Sequence, residues 1–171
     1  MNSAPTSKAD EIVPEARHWQ LLPGADFADS YRIPLAASLA QKQVADIAAR
    51  MMAGRPAWVA ALLDLRNRLV APFGLKGAKL AVGEVQPDGR MPGFPVLDGD
   101  ASHLLLGLDD RHLDFRLCIE KSPSGHADEA PQWLTATTVV RTKGLPGKAY
   151  LAVIMPFHRR IVRTLLEKMP G

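Results

Sequence analysis

Histidine, carboxylate and arginine alternate with apolar residues in His112-Leu113-Asp114-Phe115-Arg116. In an extended chain the three polar side chains share one face. There a histidine beside a carboxylate can act as a general base, and an arginine can hold an anion. The same alternation sends Leu113, Phe115, Leu117 and Ile119 to the opposite face, so the polar row looks away from the apolar side. A cross-strand charge ladder is the ordinary role of such a row. His158, in a basic segment near the C-terminus, could take part in proton transfer or simply bond a loop or cap. His112, Asp114 and His158 are the weak catalytic candidates.

Other chemistries find less support. His103 and His112 could approach each other across a hairpin with Asp109 or Asp110 in its turn, yet neither a His-x-x-x-His nor a Cys-x-x-Cys spacing occurs. No metal and no cofactor are expected. Glycine-rich segments lack both the dinucleotide fingerprint and the phosphate-loop lysine. Cys118 is the single cysteine. It cannot form an intramolecular disulfide, which suits a reducing cytoplasm, and as a thiol it is either accessible or passive.

The 171 residues suffice for one domain. Residues 1–25, rich in alanine, proline and charge, are expected to form a flexible N-terminal arm with a short ordered piece near Trp19, and 26–171 to form the single domain. The arm carries acidic residues and no apolar stretch, so neither a secretory signal nor an anchor is expected, and no membrane span either. A net charge of +3 would suit a nucleic-acid partner if it were clustered. Bases are interleaved with acids except in the last segment, where His158, Arg159, Arg160, Arg163 and Lys168 oppose Phe157, Ile161, Val162, Leu165 and Leu166. That pattern is a solvated helix face, and no nucleic-acid partner is expected.

Periodicity supplies the elements that would position these groups. Phe27, Tyr31 and Ile33 share one face of a first strand, with Asp29 among them. Ser38 is placed to cap a helix through Met52 that Gly54 ends, and Pro56 to open a second with Trp58, Leu62, Leu65 and Leu69 along it. Strands are expected at 80–85, 94–97, 102–107, 111–120, 132–142 and 149–155, followed by a helix opened by Pro156. This order predicts an α+β fold. A curved antiparallel sheet of about six to seven strands carries a helix pair after strand 1 and a long C-terminal helix across it. Phe115, Leu117, Val139, Leu151 and Val153 from the sheet, with Phe157 and Ile161 from the helix, would line a cavity for a small apolar molecule. Met51, Met52 and Met155 would be adaptable walls. A filled core is the alternative.

The element order looks like the helix-grip fold of the START, Bet v 1 and polyketide-cyclase relatives. Pro56-Ala57-Trp58, Leu65-Arg66-Asn67-Arg68-Leu69-Val70, Phe73-Gly74-Leu75, the 112–116 and 137–140 strands and Pro156-Phe157-His158-Arg159-Arg160-Ile161-Val162 resemble domain-of-unknown-function family 2867 over roughly residues 25 to 169. Asn67 departs from an acid expected in the family's pattern. The resemblance implies a stand-alone bacterial member. It also implies three functional readings: a binding protein for a mainly apolar ligand, a cyclase- or hydratase-like enzyme, or an interaction module beside a dehydrogenase-like partner. The last would show a filled core plus an exposed apolar patch, and the exposure of Trp58 and Trp133 would help separate it from the others.

Overall fold

Alternating and β-branched segments pair along most of the chain's second half, and helices cover the face that their apolar residues share. The computed structural model describes residues 8–59, 61, 90–91, 94–122 and 132–169. Among these the order is β1 (Asp10–Ile12), α1 (Ala16–Gln20), β2 (Phe27–Pro34), α2 (Ala37–Ala40), α3 (Val44–Ala53), β3 (Arg90–Met91), β4 (Phe94–Gly99), β5 (His103–Asp109), β6 (Leu113–Lys121), β7 (Trp133–Thr142) and α4 (Gly144–Glu167). Residues 57–59 begin a further helix after Pro56.

The seven strands form one antiparallel sheet in the order β1-β2-β7-β6-β5-β4-β3. β2 therefore lies beside β7, so the excursion through α2 and α3 and the exit into α4 both leave from adjacent strands. Register then decides what faces what, because directly opposed residues share a face. Phe27, Asp29, Tyr31 and Ile33 stand opposite Val140, Thr138, Ala136 and Leu134. Phe115, Leu117 and Ile119 stand opposite Val140, Thr138 and Ala136. This inner face meets α3 and α4 in a closed core of Tyr31, Leu39, Ile47, Leu106, Ile119, Leu134 and Leu166. The outer face carries Ser30, Thr137, Cys118 and Glu120, with α1 laid against it.

Several expectations are corrected. The arm expected over residues 1–25 is not free from residue 8 onward: β1 pairs with β2, and His18 of α1 is buried. Too few residues lie in each piece to show a period, so the sheet edge, not local propensity, orders them. Residues 149–155, expected as a strand, are the first half of α4, and Pro156 lies inside that helix instead of opening it. A short run that is apolar on all sides is shared by buried strands and helices. Here Tyr150, Leu151, Ile154, Phe157, His158, Ile161, Val162 and Leu165 continue one stripe at helical spacing across Pro156. Ser38 lies within α2, where Ala36 takes the cap position, and the expected first helix is split at Gln41–Gln43 into α2 and α3. Most of the second helix of the pair, Asn67, and the strand at 80–85 lie outside the described residues.

Candidate functional site

The closed core occupies one end of the space between sheet and helices. At the other end the layers part around a cavity of about 480 Å³. Its sheet wall is Phe27, Leu113, Phe115, Leu117, Thr138 and Val140. Phe94 meets Phe115 edge-on at 5.0 Å between centroids, which holds the Phe115 ring as a fixed panel. The helix wall comes from α4, where Leu151, Ile154, Phe157 and Ile161 recur one turn apart, and from Met51 and Met52 of α3. Val153 and Phe157 stand at the rim, 70% and 43% exposed.

Of the expected lining residues, Phe115, Leu117, Leu151, Val153, Phe157 and Ile161 border this space, as does Met155. Leu151 and Val153 do so from the helix, not the sheet. Val139 does not line it. It is opposite Arg116 and Ala28 in register, which turns it to the outer face, and Val140 takes the inner position. The expected assignment was one residue out of phase.

The polar candidates separate. Asp114 is on the outer face, its side chain 1% exposed, gripped by Lys143 Nζ and Arg141 Nη2, each at 2.6 Å. Burial works to raise its pKa, but these two charged donors outweigh burial and hold it below the usual carboxylate value. Such a group anchors the start of α4 to β6. His112 precedes β6; its carbonyl accepts the Lys143 N–H at 2.7 Å, and its Nε2 is buried without a partner among the described residues. Arg116 pairs with Asp109 at 2.6 Å. His103 and His112 cannot share a metal, because the register of β5 and β6 puts them at opposite ends of the hairpin.

His158 alone of the three borders the cavity. Its Nε2 lies 3.1 Å from Oδ1 of Asp29, a carboxylate 5% exposed on the inner face of β2. The second oxygen, Oδ2, has no partner among the described residues. The sequence signal for Asp29 was its phase: an acid in step with Phe27, Tyr31 and Ile33 must enter the apolar layer and needs a partner there. Only the fold shows that the partner is 129 residues away. Tyr31, fully buried beside it, has its hydroxyl pKa pushed up to about 12, first by burial and then by the charge of Asp29.

On the outer face, His18, Cys118 and Glu120 bring potential ligand atoms within 4.8 Å of one another. Their hydrogen bonds are those of a clasp. His18 Nδ1 accepts the Glu15 N–H at 3.1 Å, so in the neutral ring Nε2 carries the proton and donates to Glu120 at 3.0 Å. A metal on Nε2 would move the ring proton to Nδ1, where it would face the Glu15 N–H, a second donor. Glu120 also receives two bonds from Arg17, at 2.7 and 2.8 Å. Cys118 is buried among them, its thiol pKa pushed up to about 12 by burial and by the Glu120 charge.

An antiparallel sheet, of seven strands among the described residues, with the C-terminal helix laid along it over an apolar cavity defines a helix-grip-like α+β protein. The chain belongs to the family described as Protein of unknown function (DUF2867), whose model matches residues 21–165. No curated protein and no solved structure matches it. Among the described residues no helix is long and apolar enough to cross a membrane.

Proposed function

We propose that the protein binds a small, mainly apolar molecule between the sheet and α4, in a reducing, cytoplasmic setting. The observation that carries this reading is the cavity of about 480 Å³ beside an otherwise closed core. Its size falls in the range of small-molecule sites, ~300–1,000 Å³. Close packing is the default for an interior, and a space walled by Phe115, Leu117, Phe157 and two methionines leaves apolar surface that a ligand would cover.

The test is titration with the neutral dye N-phenyl-1-naphthylamine. Wild type is expected to bind it saturably with enhanced fluorescence, and Leu117→Trp, which fills the space from the sheet side, to bind it at least ~tenfold more weakly with an unchanged circular dichroism spectrum. Absence of saturable binding, or equal binding by the variant, would sink the reading.

A second reading, a cyclase- or hydratase-like enzyme, draws on the His158–Asp29 pair at the cavity wall. The third, an interaction module beside a dehydrogenase-like protein, calls for a filled core and an exposed apolar patch, which exposed tryptophans would help to mark. Trp58 and Trp133 are instead half-buried, under the guanidinium groups of Arg160 and Arg32 at 5.0 and 4.1 Å.

A further inference from the structure

We infer that the molecule held in this cavity carries a hydrogen-bond donor, a hydroxyl or phenol group on an apolar skeleton, and that the His158–Asp29 pair receives it; this rests on the cavity being a ligand site. A carboxylate only accepts, so the contact at 3.1 Å requires the proton on His158 Nε2. A neutral ring with its proton on Nε2 presents a lone pair at Nδ1. His158 borders the cavity, and Nδ1 is the ring nitrogen left for a molecule inside it.

The other unspent atom of the pair is Asp29 Oδ2, on a side chain 5% exposed and without a partner among the described residues. Nδ1 and Oδ2 are both acceptors. Of the two, Oδ2 is the buried one left unmade, and the pair itself offers a ligand acceptors and no free donor. A ketone, ether or ester offers only further acceptors. A carboxylate or phosphate would bring a negative charge toward Asp29 in an apolar surrounding, where like charges repel strongly. Thr138, opposite Asp29 in register and itself in the cavity wall, is indifferent because a hydroxyl can donate or accept. An alcohol or phenol on a hydrocarbon frame meets all of these conditions.

The experiment compares 2-naphthol, 2-methylnaphthalene and 2-methoxynaphthalene, ligands of similar shape that differ in donor capacity, by displacement of N-phenyl-1-naphthylamine. Wild type is expected to prefer 2-naphthol by about fivefold or more over both others, the effect of one net hydrogen bond. In His158→Leu, whatever the change in the affinity for 2-methylnaphthalene itself, the preference for 2-naphthol over the other two disappears. In Asp29→Asn it falls, because the carboxamide can donate to Nε2 and move the ring proton to Nδ1. A residue with only a structural role would weaken all three ligands together and leave their ratio unchanged. Equal binding of the three by wild type, or an unchanged ratio in a folded His158→Leu, overturns the inference and leaves the cavity as a ligand site. If wild type binds neither the dye nor any naphthalene, the cavity reading itself falls, and the inference with it.

Discussion

At the scale of single residues, position in the pleat decides which reactive side chains can meet a ligand. Cys118 could be accessible or passive as a residue in sequence; buried on the outer face beside Glu120, with its pKa pushed up to about 12, it is inert. Ellman's reagent at pH 8 is expected to leave it unmodified in the native protein over minutes and to label it fully in urea. Rapid native labelling would contradict the burial. Asp114, a candidate base from its spacing, is instead an ion-pair centre. Its folded pKa is lowered relative to the unfolded chain. Its contribution to stability is therefore complete above the unfolded value of ~3.9 and is lost as pH falls through the folded one. Asp114→Asn is expected to cost about 2 kcal/mol at neutral pH and to flatten the acid limb of a urea-midpoint profile. The figure is below that for a fully buried pair because Arg141 and Lys143 are each 41% exposed.

At the scale of elements, contacts distant in sequence order segments whose local signals are weak. α1 has five residues, too few to persist alone, yet it is pinned by His18 and Arg17 to Glu120, about a hundred positions on. Deleting residues 1–20 is expected to lower the unfolding free energy by at least ~2 kcal/mol, because Glu120 then loses its charged donors; an unchanged urea midpoint would return these residues to the status of a loose arm. The start of α4 depends on a close approach. A Cβ on Gly147 would collide with the carbonyl oxygen of His112, which is itself bonded to the Lys143 N–H. Alanine at a helix position gains ~1 kcal/mol over glycine. The obstacle is backbone held in the sheet, so overpacking outweighs that gain. Gly147→Ala should destabilise the protein by about 1–3 kcal/mol and weaken dye binding, since the same half-helix carries Leu151 and Ile154.

At the scale of the whole molecule, a closed core at one end supports an open cavity at the other, and a ligand that fills the opening should stabilise the whole. At a hundred times its dissociation constant, a ligand adds ~2.7 kcal/mol. For a domain of this size that is about 5–10 °C in melting temperature, and N-phenyl-1-naphthylamine at saturation is expected to produce it. No shift at saturation would mean that the dye does not bind the folded protein in preference to the unfolded chain. Much of this architecture was legible in the residues. Period-two alternation placed β2, β5, β6 and β7 and the inner faces of β2 and β6, so that Phe115 and Leu117, expected as lining residues, border the cavity, while β7 was read one residue out of phase at Val139; the element order predicted the helix-grip-like plan. Periodicity is a local property, and it reports which side of an element is apolar. It could not distinguish a buried strand from a buried helix over seven apolar residues at 149–155, nor show that β1 and α1 would be ordered by the sheet they meet. It marked Asp29 as an acid in an apolar row and His158 as a histidine at the edge of a basic one. Their union at 3.1 Å was decided by the tertiary structure, because the register of β2 against β7 and the course of α4 are set by packing between segments far apart in the chain.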